Sequence, residues 1–143
     1  MRILVSACLL GVPCRYDGGS KRCPEIEELL QRHTCIPVCP EQLGGLPTPR
    51  PPAERRGEGV YTVDGADVTA EFRRGATVAL DLARLYGCEA AVLKERSPSC
   101  GRGVIHDGTF SDGLMVGDGV TAARLETEGI PVYGESQIGE LLH

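Results

Sequence analysis

The chain has 143 residues, of which 41% are hydrophobic and 24% charged, and this length predicts one compact domain over residues 1–143. Its 15 Lys and Arg residues against 20 Asp and Glu residues give a formal net charge of -5. That balance argues against duplex DNA as the main ligand, because phosphate contacts need a basic surface. No stretch approaches the roughly 20 apolar residues of a membrane span, so we expect a soluble, cytoplasmic protein.

The first third of the chain predicts two strands and one helix. Residues 2–7 are apolar and β-branched without a helical period, which predicts a buried strand that ends at Cys8. Residues 24–33 place apolar side chains on one face and acidic side chains in the first turn, which favours a helix. Residues 35–38 predict a second strand, and this strand also stops at a cysteine, Cys39.

The middle of the chain predicts a long loop followed by a helix. Residues 41–65 are dense in proline and glycine, and a long loop within a compact domain often has a functional role. Small and apolar residues then recur at three- and four-residue spacing, which predicts a helix over residues 67–87. We expect Asp64 or Asp67 to cap its start and Gly87 to end it.

The last third of the chain alternates strands and helices again. Its predicted elements are a strand over residues 89–93, a hairpin or loop over 105–113, a helix over 119–129 capped by Asp118, a strand over 130–133 and a helix over 136–143 capped by Ser136. Right-handed crossovers place a helix between consecutive parallel strands. The predicted fold class is therefore α/β, with a mainly parallel sheet flanked by helices, and the pattern leaves the strand order open.

Seven cysteines are distributed over the chain: Cys8, Cys14, Cys23, Cys35, Cys39, Cys88 and Cys100. Their odd number and the lack of a secretion signal argue against a disulfide framework. Three of them, Cys8, Cys39 and Cys100, follow predicted strands at the sheet edge where open α/β folds bind ligands. We therefore expect these three thiols to converge on a metal or cluster site.

Three thiolates without a fourth protein ligand leave one coordination position open. A zinc ion with a bound water and a [4Fe–4S] cluster with one free iron both fit that pattern, since thiolates favour soft metals. Cys14 is close to Cys8 in sequence and is a reserve ligand. Cys35 and Cys88 lie within or beside apolar segments, so we expect them to be buried and inert.

Polar residues beside these thiols are candidate catalytic groups. Glu41 lies two residues after Cys39, where burial would help it to hold or release a proton, and a solvated loop glutamate is the alternative interpretation. Ser97 and Ser99 precede Cys100 and can either donate hydrogen bonds to a substrate or serve only in a proline-containing turn.

Five segments carry a combined pattern that is more specific than any one of them: SACLLGVPCRYDG, PVCPEQLGGLPTPRPPAE, DVTAEFRRGA, LKERSPSCG and GDGVTA. Together they resemble the bacterial thiouracil desulfidase (TudS-like) family over about residues 3–135. The resemblance implies a Rossmann-like α/β domain that carries a [4Fe–4S] cluster on Cys8, Cys39 and Cys100. It also implies that the free iron binds the sulfur of a thiolated pyrimidine, that water replaces this sulfur and that hydrogen sulfide leaves.

The leading prediction is therefore an iron–sulfur desulfidase that acts on thiolated pyrimidines. By resemblance, Glu41 matches the family's acid/base carboxylate, and Ser97 or Ser99 matches its assisting serine. The predicted substrate is 2- or 4-thiouracil or a thiouridine nucleotide, which suits a small acidic domain better than folded tRNA does. A zinc-dependent hydrolase at the same cysteines and a non-catalytic iron–sulfur redox module are the alternatives. The sequence leaves the oligomeric state open.

Overall fold

The computed structural model describes residues 1–142, so the last residue of the predicted C-terminal helix lies outside the described part. In chain order, the elements are β1 (Arg2–Ser6), a 3₁₀ helix (Ala7–Leu10), α1 (Ile26–Arg32), β2 (Thr34–Val38), α2 (Pro40–Leu43), β3 (Ala53–Arg56), β4 (Gly59–Thr62), α3 (Thr69–Leu85), β5 (Ala90–Leu93), β6 (Val104–His106), β7 (Leu114–Val116), α4 (Val120–Thr127), β8 (Val132–Gly134) and a second 3₁₀ helix (Glu135–Leu141). Within the described residues, no helix has the length and apolar character needed to cross a bilayer.

Four parallel strands form the central sheet in the order β2-β1-β5-β8. The chain moves to one side of β1 to form β2 and to the other side to form β5 and β8. The boundary between β1 and β5 is therefore the topological switch point, where open α/β sheets bind their ligands. The predicted α/β class with a parallel sheet is confirmed, and the structure supplies the strand order.

Alternating side chains of β1 connect the sheet to helices on both of its faces. Ile3 and Val5 belong to a buried cluster that includes Leu29 of α1 and Ile138 of the second 3₁₀ helix. Leu4 belongs to the cluster on the opposite face, which contains residues of α3 and α4. All residues of β5 are buried, as expected for a strand that is covered on both faces. This packing fixes the carboxyl ends of the strands.

The predicted loop over residues 41–65 contains regular structure. Helix α2 begins at Pro40, directly after Cys39, and β3 pairs with β4 as an antiparallel hairpin. Proline and glycine at the ends of these short elements hide them in the sequence. The segment predicted over residues 105–113 as a hairpin or loop belongs to a second antiparallel hairpin, formed by β6 and β7.

Three of the predicted N-terminal helix caps are wrong. Gly119, not Asp118, is the N-cap of α4. The Asp118 carboxylate accepts a hydrogen bond from the backbone N–H of Gly103 at 2.6 Å. The C-terminal segment is a 3₁₀ helix, and the side chain of Gln137, not that of Ser136, accepts the N–H at its start at 2.9 Å. Val68, not Asp64 or Asp67, is the N-cap of α3, and the Asp67 carboxylate, one residue earlier, accepts the backbone N–H of Thr69 at 2.9 Å.

Helices α2 and α3 touch through their backbones at two glycines. A Cβ atom on Gly75 of α3 would lie 1.9 Å from the carbonyl oxygen of Pro40. A Cβ atom on Gly44, which follows α2, would lie 2.0 Å from a backbone carbonyl oxygen of α3. Only glycine permits an approach this close, because any side chain would overlap the facing backbone. The contact sets the position of α2 and of the two residues on either side of Pro40.

Candidate active site

A cavity of about 540 Å³ opens at the carboxyl ends of β1, β2 and β5. This is the switch point of the sheet, where the fold class places ligands. The reactive or charged residues that matter most in its lining are Cys8, Cys14, Cys39, Glu41, Arg50, Ser97 and Cys100. Five of the six predicted site residues therefore border one cavity, and Ser99 is the exception.

Each predicted thiol reaches the cavity from a different strand. Cys8 lies in the 3₁₀ helix after β1, Cys39 lies between β2 and α2, and Cys100 lies in the loop after β5. These three residues form the thiol wall of the cavity. They come together because the parallel strands end at a common edge. Cys35 and Cys88 are absent from the lining; Cys88 is buried as expected, whereas Cys35 is only half-buried.

Burial raises the pKa of two thiols of this wall, those of Cys8 and Cys100. It raises the pKa of Cys8 to about 11, although the charges of Arg15 and Lys94 act in the opposite direction. It also raises the pKa of Cys100 to about 12, against the smaller opposing effect of a hydrogen bond from Ser6. The Cys8 and Cys100 thiols are therefore protonated at neutral pH in the metal-free chain, and a metal that binds them has to displace their protons.

Cys14 also lines the cavity, beside Cys39. Burial and the neighbouring Cys39 thiol raise the pKa of Cys14 to about 12. The Cys39 Sγ atom lies 3.7 Å from the carbonyl oxygen of Cys14. The reserve ligand is thus adjacent to the predicted set. Among residues 1–142, no three His, Cys, Asp or Glu side chains stand close enough together to hold a single metal ion.

Ser6 is a residue of the site that the sequence analysis missed. Its hydroxyl donates a hydrogen bond to the Cys100 Sγ atom at 3.4 Å and accepts one from the backbone N–H of Lys94 at 2.9 Å. Ser6 is buried at the last position of β1, two residues before Cys8. That position is the signal that could have identified it, because it places a polar side chain beside the ligand edge of the sheet.

Glu41 lies in the first turn of α2 and forms an ion pair with Arg50. Its Oε1 atom accepts a hydrogen bond from Arg50 Nε at 3.0 Å, and its side chain is 19% exposed. The alternative interpretation of Glu41 as a solvated loop residue is therefore wrong. Arg50, whose side chain is only 4% exposed, was missed because it belongs to a proline-rich segment that suggested only a loop.

The two candidate serines face different parts of the molecule. The Ser97 Oγ atom lies at the cavity and accepts hydrogen bonds from the backbone N–H groups of Ser99 and Cys100, at 3.1 and 3.0 Å. Ser99 is 1% exposed, and its hydroxyl shares a hydrogen bond of 2.9 Å with Thr121 of α4. Ser97 is therefore the serine that is available to a ligand, and Ser99 joins the loop to α4.

The opposite side of the cavity is formed by the loop over residues 107–113, which connects β6 to β7. Glu54 of β3 fixes this loop, since its Oε1 atom accepts the backbone N–H groups of Gly108 at 2.9 Å and Phe110 at 3.1 Å. Arg56 adds a hydrogen bond from Nε to the Gly108 carbonyl oxygen at 2.9 Å. The loop and Glu54 form the hairpin wall, and Phe110 lines the cavity from it.

Comparison with known proteins identifies the family. The model of the 2-thiouracil desulfurase family matches residues 3–137, which is nearly the whole chain. The chain belongs to the 2-thiouracil desulfurase family. The family resemblance that the sequence motifs indicate is thereby confirmed.

Two individual relatives agree with membership of the desulfurase family. The chain is 42% identical to the uncharacterized protein YbbK of Bacillus subtilis strain 168, over 98% of this chain and 99% of the relative. It is 53% identical to a solved structure named as the [4Fe–4S]-dependent thiouracil desulfidase TudS, with a TM-score of 0.93. That match covers 98% of this chain and 94% of TudS, so the parallel α/β fold is common to both proteins.

Proposed function

We propose that this protein is a [4Fe–4S]-dependent desulfidase that replaces the sulfur of a thiolated pyrimidine with oxygen and releases hydrogen sulfide. The observation that carries the proposal is the position of three thiols and one carboxylate on a single cavity at the switch point of the sheet. Membership of the 2-thiouracil desulfurase family supports it, as does the identity of 53% with TudS, which is itself named as [4Fe–4S]-dependent.

Cys8, Cys39 and Cys100 are the proposed ligands of the cluster. Their donor set fits the group, because soft thiolates are the usual ligands of iron–sulfur clusters and all three side chains line one cavity. Three thiolates leave one iron without a protein ligand. When bound, the cluster supplies a Lewis acid that polarises the C=S bond of the substrate.

Glu41 is the proposed acid/base group of the reaction. Its carboxylate takes a proton from the attacking water while the new C–O bond forms at the pyrimidine carbon. The C–S bond breaks, and both protons of the water leave with the sulfur as hydrogen sulfide, one of them by way of the Glu41 carboxylate. Carbon exchanges sulfur for oxygen without a change of oxidation state, so the reaction needs no electron donor.

Ser97 is the proposed hydrogen-bond donor to the reacting group. Its Oγ atom already accepts two backbone N–H groups, so its own hydrogen is available to a ligand in the cavity. A hydroxyl that is fixed in this way can stabilise charge that develops on the entering oxygen or the departing sulfur. We assign this role to Ser97 rather than Ser99, whose hydroxyl is buried against Thr121.

The proposed substrate is 2- or 4-thiouracil or a thiouridine nucleotide. The cavity of about 540 Å³ is within the range of sites that bind small molecules. The net charge of -5 disfavours folded tRNA, because a polyanion requires a basic surface.

The test begins with protein purified without oxygen. Iron, zinc and acid-labile sulfide are measured per chain, and sulfide release is followed after addition of 4-thiouracil, 2-thiouracil or 4-thiouridine monophosphate. We expect about four irons and four labile sulfides per chain together with turnover. Zinc without labile sulfide would instead support the hydrolase alternative. A full cluster without turnover on any of these compounds would support the redox module.

The substitution Glu41→Gln tests the acid/base role. We expect the iron content to stay unchanged and the rate of sulfide release to fall by about 100-fold or more, since a positioned acid/base group contributes about 10²- to 10⁴-fold. Glu58→Gln is the matched control, because Glu58 is exposed and does not line the cavity. Turnover of Glu41→Gln at the wild-type rate would remove Glu41 from the mechanism.

A further inference from the structure

We propose that Arg50 is the positioning residue for Glu41: it holds the Oε1 atom of the carboxylate and leaves the Oε2 atom to take the proton from water. The inference rests on the proposed function and assigns the roles of two individual oxygen atoms within it.

The guanidinium group of Arg50 is fully engaged by its surroundings. Nε donates to Glu41 Oε1 at 3.0 Å, and Nη2 donates to the carbonyl oxygen of Cys14 at 3.0 Å. Nη1 donates to the carbonyl oxygen of Pro47 at 3.1 Å and to the hydroxyl of Thr48 at 2.9 Å. All three nitrogen atoms therefore have partners, and Glu41 is the only anion among them.

The backbone of Arg50 is also fixed beside the cavity. Its N–H donates to the carbonyl oxygen of Tyr16 at 2.7 Å, and Tyr16 lines the cavity. With the side chain 4% exposed, Arg50 has little freedom to change rotamer. A buried guanidinium group without an anionic partner would be costly, so the arginine and the carboxylate hold each other in place.

The geometry of the ion pair gives the two carboxylate oxygens different roles. Arginine and carboxylate often pair through two parallel hydrogen bonds, which engage both oxygens. Here the contact is between Nε and Oε1, and the described residues give Oε2 no hydrogen-bond partner. Glu41 lines the cavity, so Oε2 is the carboxylate atom that remains for a water molecule there.

Arg74 provides a matched control for the role of Arg50. It donates from Nη1 to the carbonyl oxygen of Gly44 at 2.9 Å, just beyond the same short helix, α2. Arg74 forms no ion pair within residues 1–142, and it does not line the cavity. Removal of Arg74 therefore perturbs the surroundings of α2 without releasing Glu41.

The experiment compares Arg50→Ala, Arg50→Lys and Arg74→Ala in cluster-loaded protein. For each variant we measure kcat and KM for sulfide release, iron and labile sulfide per chain, and rescue by added ethylguanidinium. We expect Arg50→Ala to lower kcat by about 100-fold with KM within about threefold, since small displacements of a catalytic group can cost about 10²-fold. Ethylguanidinium should restore kcat at least about tenfold in this variant only.

Three outcomes would overturn the proposal. The first is wild-type kcat in Arg50→Ala. The second is a loss of kcat that is equally large in Arg74→Ala. The third is loss of the cluster from both Arg50 variants while Arg74→Ala retains it, which would make Arg50 a residue of cluster retention.

A fallback variant and a check on the proposed function complete the experiment. If Arg50→Ala is insoluble, Arg50→Lys is the deciding variant, because lysine keeps the buried charge without the guanidinium geometry. A normal iron content with a low kcat in Arg50→Lys supports the proposal. A normal kcat in Arg50→Lys overturns it. Failure of the proposed function is distinguishable, because the wild-type protein itself would then release no sulfide from the thiolated pyrimidines.

Discussion

The thiol wall and the hairpin wall of the cavity are held in place by different forces. The cysteines of the thiol wall follow β1, β2 and β5, and fully buried residues of these strands such as Leu4 and Leu93 pack into the core. The hairpin wall depends on Glu54, whose carboxylate accepts two backbone N–H groups of the facing loop. The hairpin of β6 and β7, which carries this loop, is partly exposed, and Val116 of β7 is 91% exposed.

This difference matches the separate demands of a cofactor and a substrate. Core packing has the density of an organic crystal and resists displacement, so it suits ligands that must keep a fixed spacing. A loop held by a few hydrogen bonds can open at a low free-energy cost, so it suits a ligand that enters and leaves. Substitutions on the thiol wall should therefore change metal content, and substitutions on the hairpin wall should change substrate affinity.

The largest expected effect is that of Cys100→Ala on the thiol wall. We expect iron per chain to fall from about four to near zero after anaerobic purification, because one of the three proposed cluster ligands is lost. Cys88→Ala is the control, since Cys88 is equally buried but packs between α3 and β5, away from the cavity. Equal iron in the Cys100→Ala and wild-type proteins would remove Cys100 from the ligand set.

An intermediate effect is expected for Glu54→Ala on the hairpin wall. Hydrogen bonds to a charged group contribute about 1.5–3 kcal/mol each, so loss of the carboxylate should free the loop over residues 107–113. We expect KM for the thiolated pyrimidine to rise about tenfold or more, with iron content unchanged. Glu58→Ala is the control, because Glu58 is exposed at the turn between β3 and β4, and this substitution should leave KM unaltered. Loss of iron in Glu54→Ala would show that the two walls are not independent.

The smallest expected effect is that of Ser6→Ala, which removes a hydrogen bond to a thiol and leaves the thiol in place. Hydrogen bonds to ligand sulfur atoms stabilise the reduced cluster, so the reduction potential should fall by roughly 20–60 mV. Redox titration followed by electron paramagnetic resonance measures this change, and Ser136→Ala is the control on the surface. An unchanged potential would mean that the Ser6 hydroxyl does not influence the Cys100 sulfur.

The parts of the candidate site that could be predicted from the sequence are those that follow directly after a predicted strand. Cys8, Cys39 and Cys100 could be grouped because each follows a strand, and parallel strands end at one edge whichever order they take. The family motifs added the roles that we propose for Glu41 and for one of the two serines. Every predicted strand is present, and every predicted helix before the C-terminal 3₁₀ helix is an α-helix, with ends within one or two residues of the expected positions.

The contacts that orient those residues could not be predicted from the sequence. Arg50 and Glu54 both belong to the proline-rich segment, and their partners, Glu41 and the loop over residues 107–113, are evident only in the folded structure. The choice between Ser97 and Ser99 depends on the position of α4, because the Ser99 hydroxyl shares a hydrogen bond with Thr121 of that helix. Such pairings depend on three-dimensional proximity, and a pattern of spacing along one chain does not contain that information.

The glycine contact between α2 and α3 fixes the position of the backbone that carries two proposed reactive groups. Cys39 and Glu41 flank Pro40, whose carbonyl oxygen would lie 1.9 Å from a Cβ atom on Gly75. A contact between two main chains has no rotamers to exchange, so rearrangement of surface side chains does not alter it. Helix α3 thus acts as a template for the proposed site: its backbone contact with Pro40 determines where the main chain presents the Cys39 sulfur and the Glu41 carboxylate.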